Sequence, residues 1–341
     1  VNIVFWRSQV NTIIGYRVAS LANDPTQDTI HFVDESLTDT EIANNETLYT
    51  QGGAILENIA PPPAMIMWVN NNRAWLIDSE NPETNIEYTK TAAIGYGVSF
   101  STGQLELVID SKGGRITGAS PMDEKTVIFK ESAVGYFIGD GANDAGQNSM
   151  ITNLPFVPSD TGCVNSGSVV LFPDGILFKS PKGIYILTRG LQVFYFGMDV
   201  EAYNSQDVTS AQITWTTSQI RLLTSSGYSL LYDYIFKQWS IFTNHEGYSG
   251  DVWNNLYVYA RSDGKIYLEN PSNFLDGASA FRLSATTAWL KAASIQNFQR
   301  IRRAMLLGDY QGASQHGVQI SAFYDWNSTP ESVVPYFFDG L

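Results

Sequence analysis

The stretch LFPDGILFKSPKGIYILTRG, residues 171–190, reads as turn, strand, turn, strand, and the same plan recurs along the chain. NNRAWLIDSENPETNIEYTK does it first. DEKTVIFKESAVGYFIGDG repeats it around Glu131 and Ser132, and DGILFKSPKGIYILTRG around Ser180 to Gly183. SQIRLLTSSGYSLLYDYIFKQWSIF turns at Ser225 to Gly227 and adds a third strand ending in Trp239. NNLYVYARSDGKIYLEN turns on Ser262, Asp263 and Gly264. Short alternating runs rich in β-branched and aromatic residues, bounded by Gly, Asn, Asp and Pro, are strand signals. A repeat of about 35–50 residues is the spacing of propeller blades. One such unit cannot bury both faces of its own sheet, whereas several packed around an axis can. The expected fold is all-β, a β-propeller of about five blades. A stacked β-sandwich array is the rival.

The flanks differ from the repeat. IVFWRSQVNTIIGYRVASL predicts two strands around a turn at Asn11, and DTIHFVDESL a third strand entering an acidic turn. Residues 1–55 are therefore expected to form a small β-sandwich-like segment. Three consecutive prolines in IAPPPAMIMW cannot sit inside a sheet and form a stiff connector. Blades are expected over 56–285, and closing or appended β elements over 286–341. FRLSATTAWLKAASIQNFQRIRRAMLLGDY fits a helix and a strand or two strands, and HGVQISAFYDW reads as a strand. The opening VNIVFWRSQV has no Met and no signal-like region, so a piece of a longer polypeptide is expected.

Composition narrows the function. Only 16% of residues are charged, against roughly 25% in an average soluble protein. The net charge of -14 repels nucleic-acid phosphate and disfavours general DNA or RNA binding. It permits a wall that DNA passes without sticking. The one cysteine, Cys163, excludes an intrachain disulfide and reads as a small buried apolar residue. No apolar run approaches the roughly 20 residues of a membrane span.

Catalytic patterns are sparse. His31, His245 and His316 are far apart in sequence and show no metal-ligand spacing. No nucleophile elbow, P-loop or dinucleotide fingerprint is present. No catalytic residue and no cofactor is expected. GDGANDAGQNS, residues 139–149, is the candidate ligand loop. Asp140 and Asp144 fit positions one and five of a calcium loop, but Ala142, Ala145 and Ile151 break the pattern. It fits a plain polar loop better. Asp78, Asp140, Asp199, Glu201 and Asp233 are carboxylates from which a glycosidase pair would be drawn. Arg300, Arg302 and Arg303 in NFQRIRRAML form the one basic concentration. In an acidic chain they suit either local ion pairs or contact with a neighbouring subunit.

GRITGASPMDEKTVIFKESAVGYFIGDG, DTGCVNSGSVVLFPDGILFKSPKGIYILTRG and VTSAQITWTTSQIRLLTSSGYSLLYDYIFKQWS together resemble propeller-bearing tail nozzle proteins of short-tailed phages, the tail tubular or packaged-DNA-stabilisation family. WRSQVNTIIGYRVASL resembles the small sandwich module of such proteins. The likeness covers about residues 1–310. It implies a virion tail structural protein, not an enzyme, assembled as a homo-oligomeric ring, commonly of six subunits. The ring would meet the portal, adaptor and other tail proteins and form a channel for genome retention and ejection. A carbohydrate-binding or carbohydrate-active propeller is the alternative.

Overall fold

The computed structural model describes residues 2–10, 14–35, 37–48, 56–92, 98–101, 105–152, 154–273, 275, 279, 281–290, 305–307 and 316–338. The chain divides into two compact units, Val1–Asn270 and Pro271–Leu341.

The first unit begins with an antiparallel hairpin, β1 (Asn2–Ser8) and β2 (Gly15–Ala22). The expected third strand over DTIHFVDESL is absent from the described residues. That segment docks through side chains instead of a backbone ladder. Phe32 stacks on Phe5 at 4.7 Å, and Arg7 binds Asp34 at 2.6 Å and Asp39 at 3.2 Å. A single helical turn, α1 (Asp39–Ile42), follows, closed by a reciprocal cap between Thr38 and Glu41.

Five antiparallel sheets come next, each with its strands in chain order. The first blade is β3 (Ala64–Asn70), β4 (Arg73–Asp78), β5 (Asn85–Tyr88) and β6 (Glu106–Val108). The second is β7 (Ile116–Met122), β8 (Lys125–Lys130) and β9 (Val134–Ile138), with Phe156 bridged to Gly135 along its edge. The third is β10 (Val170–Phe172), β11 (Gly175–Ser180), β12 (Gly183–Thr188) and β13 (Val193–Tyr195). The fourth is β14 (Val208–Thr214), β15 (Gln219–Thr224), β16 (Tyr228–Asp233) and β17 (Gln238–Thr243). The fifth is β18 (Ser249–Trp253), β19 (Leu256–Ala260) and β20 (Ile266–Leu268). All five hairpins expected from the sequence are present.

Strand period and stacking fit together. Successive side chains of a strand point to opposite faces. In β8, Ile128 therefore enters the core shared with the first blade, beside Trp75, Ile77 and Ile86. Its neighbours Val127 and Phe129 enter the core shared with the third, beside Ile176 and Phe178. In β15, Ile220 and Leu222 face the third blade, and Leu223 joins Tyr257 and Tyr259 of the fifth. Central strands buried on both faces read as near-continuous apolar runs. Sheets stacked face to face in chain order, each sharing a core with the next, make this unit a β-propeller with a small N-terminal β segment.

The turns at one end of the blades are tied by a recurring polar latch. Asn71, in the β3–β4 turn, donates to Asp140 beyond β9 of the next blade. Asp123, in the β7–β8 turn, pairs with Arg189 beyond β12. Asp174, in the β10–β11 turn, pairs with Lys237 between β16 and β17.

The second unit contains the hairpin of β21 (His316–Ala322) and β22 (Ser332–Phe338). The strand expected in HGVQISAFYDW is β21. Residues 281–290 carry no helix or strand.

Candidate functional site

The ligand loop singled out in the sequence lines a cleft of about 810 Å³ beside the first two blades. Two turns build it. Asn71 and Asn72 form the two-residue β3–β4 turn with φ of 51° and 55°. A turn with both central residues left-handed favours Asn, whose short polar side chain tolerates that backbone. The second wall is the loop after β9, carrying Asp140, Asn143 and Asp144.

Arg73 anchors the loop from below. It is buried, lies over the Tyr88 ring at 5.3 Å, and donates to Thr89 O and Ala142 O, each at 2.7 Å. The Tyr88 hydroxyl oxygen accepts from the Ala142 N–H at 3.0 Å. Gly141 sits against that same ring at φ +82°, where a Cβ would lie 2.6 Å from Tyr88 Cε2. Only glycine satisfies both the backbone and the space here. Asn143 Oδ1 accepts from the N–H groups of Ala145 and Gln147 at 3.1 and 2.9 Å.

The structure turns the two candidate aspartates to separate structural tasks. Asp140 accepts from Asn71 Nδ2, and Asp144 Oδ1 accepts from the Thr91 N–H at 3.0 Å. Beside Thr91, Lys90 donates to Leu56 O and to Asn58 Oδ1. Burial pushes the Lys90 ammonium below its usual range, while Asp144 pulls it back up. Among the described residues no group of three or more His, Cys, Asp or Glu is placed to hold a metal ion.

The other carboxylates picked from the sequence are scattered. Asp78 accepts from the Glu80 N–H and Asn81 Nδ2, and Asp233 from the N–H groups of Ile235 and Phe236. Both close turns. Asp199 and Glu201 lie in the 3-10 turn Met198–Tyr203. Arg300, Arg302 and Arg303 lie outside the described residues.

One cluster escaped the sequence reading. His245 Nδ1 lies 2.9 Å from Ser229 Oγ, and His245 Nε2 lies 3.6 Å from Glu269 Oε1. Glu269 Oε2 accepts from Arg221 Nη2 at 2.8 Å. The composition is that of an acid–base relay, but Ser229 is 1% exposed, so no substrate reaches its hydroxyl. The available signal was an arginine on a strand, SQIRLLT, whose neighbours are apolar. Pairing it with a glutamate 48 residues away requires the fold.

No known protein family matches the chain, and no curated protein does. Among solved structures, the Neurospora crassa Pan2 WD40 domain is similar at 15% identity over 47% of each chain, with a TM-score of 0.33. BamB from Moraxella catarrhalis is similar at 9% identity over 78% of this chain and 66% of that one, with a TM-score of 0.41. The chain thus spans less than half of the first and less than two thirds of the second. At these scores the likeness carries no weight for function.

Proposed function

We propose that the chain is a virion structural protein, a tail nozzle or hub component that assembles into a ring around a channel for genome retention and ejection. The supporting observation is apolar surface at both ends of the blade series. Met67 and Val69 of β3 and Trp253 of β18 are each 68% exposed, and Ile266 of β20 is 78% exposed. Exposed apolar patches mark sites of protein association. The net charge of -14 suits a wall along which phosphate moves without adhering. The resemblance of the repeated hairpins to nozzle proteins points the same way.

The test is electron microscopy of the purified protein with two-dimensional class averages. The reading expects rings with a central hole of about 20 Å or more, the width of duplex DNA on the scale of its grooves. Compact particles without a hole, at concentrations where sedimentation shows one mass, would count against it.

The Asn- and Asp-lined cleft favours a second reading, a propeller that binds carbohydrate. Its amide and carboxylate groups suit hydroxyl-rich ligands. A glycan array decides it: binding lost on Asn143→Ala supports the cleft, and a blank array removes it.

A further inference from the structure

The seam between the fourth and fifth blades holds a buried cation whose partner is a carboxylate, Arg221 with Glu269. The first three seams are filled mainly by aliphatic and aromatic side chains such as Ile77, Ile128, Phe129 and Phe178, and the buried cations Arg73, Lys130 and Lys179 there donate to backbone carbonyls. The fourth holds Leu223, Tyr257 and Tyr259, with Tyr267 at its margin. On the faces that meet the next blade, β8 offers Val127 and Phe129, and β11 offers Leu177 and then the buried Lys179. At the matching place β15 offers Arg221.

Polar contacts take over the joint. Arg221 lies between the rings of Phe242 and Tyr257, at 5.2 and 5.6 Å. It reaches Glu269, the residue directly after β20, with side-chain exposures of 6% and 29%. Side chains of β14 join it to β18 and to Gly247 just ahead of β18. Thr209 Oγ1 donates to Gly247 O at 2.7 Å, and Ser210 Oγ accepts from the Gly250 N–H at 3.1 Å. Arg221 Nε and Nη1 and Tyr257 Oη take no hydrogen bond among the described residues, and Glu269 Oε1 meets His245 Nε2 at 3.6 Å. Burying polar groups without partners costs free energy that an apolar seam does not pay.

We propose that the fifth blade is a separable element, docked by the Arg221–Glu269 pair and able to open from the fourth blade while the other blades stay folded. Glu269 is the pin, since removing one partner of a buried pair leaves the other charge stranded. Its position beside Asn270, the last residue of the first unit, makes it the point where the chain leaves the propeller.

Hydrogen exchange by mass spectrometry on the full chain tests this. In the wild type, amides of β18 and β19 should exchange before those of β8 and β11, through an opening smaller than global unfolding. One common rate for all blades would overturn the proposal. Glu269→Gln keeps the shape of the pin and removes its charge. It should raise exchange in β18 and β19 about tenfold or more and leave β8 and β11 unchanged. Asp174→Asn, which cuts an exposed latch, should leave the fifth blade at its wild-type rate. Equal effects of the two variants on the fifth blade, or a rise shared by every blade after Glu269→Gln, would refute the pin.

Discussion

Lys130 shows how a single residue serves two blades. It ends β8 fully buried and donates to Glu83 O at 2.9 Å, between β4 and β5, and to Asp110 O at 2.6 Å, in the link from β6 to β7. Burial pushes its ammonium below the ordinary value of 10.5, with Asp110 and Glu83 opposing. The unfolded chain then holds this proton to higher pH than the folded chain. The folded state carries the full cost of the buried charge below the lowered value and sheds it as pH rises toward 10.5. Lys130→Met should therefore flatten the upward slope of unfolding free energy as pH rises to the ordinary lysine value of 10.5, measured by urea titration. Gly141→Ala should cost about 1–3 kcal/mol in the same assay, from left-handed backbone and contact with Tyr88. Little of this was legible in the sequence. A lysine at the end of VIFK reads as solvated, and only the fold brings up the carbonyls that hold it. Asp140 and Asp144 were visible as a pair, but their partners Asn71 and Thr91 are 69 and 53 residues away.

Elements were far more legible, because strand signals are local. Short apolar runs in KTVIFK, GILFKS and QIRLLT, bounded by tight turns, mark β8, β11 and β15 without knowledge of the partners. DTIHFVDESL carries alternating apolar residues at Ile30 and Phe32 and forms no ladder among its described residues. Its Phe32 and Asp34 are consumed by Phe5 and Arg7, and period alone does not distinguish the two outcomes. A four-residue helix such as α1 has too few turns to show a period. The latches also belong to this scale. Asp123–Arg189 and Asp174–Lys237 have side chains between 38% and 54% exposed, so each is worth about 0–1 kcal/mol. Asp123→Asn and Asp174→Asn should each lower stability by no more than that, and the loss should shrink in about 1 M salt. A larger loss that persists in salt would mean the turns bear on packing.

Across the whole molecule, stability is expected to behave as a sum over seams, since each blade shares its core with its neighbours in the chain. Assembly rests on the faces left at the ends. Trp253→Lys combined with Ile266→Lys should leave the circular dichroism of the chain unchanged, because both side chains are exposed. On the proposed assembly the double variant should sediment at a lower mass than the wild type at equal concentration. The mass would stay unchanged if that face makes no contact. The stacking arrangement has one more consequence. Ile128 and Phe129 are adjacent in sequence yet belong to different cores. An insertion of one residue ahead of them in β8 would hand each to the other's core, and one added codon would corrupt two joints at once. Gains and losses of residues are tolerable only in the turns, so related chains should vary in length there while their central strands keep the same count.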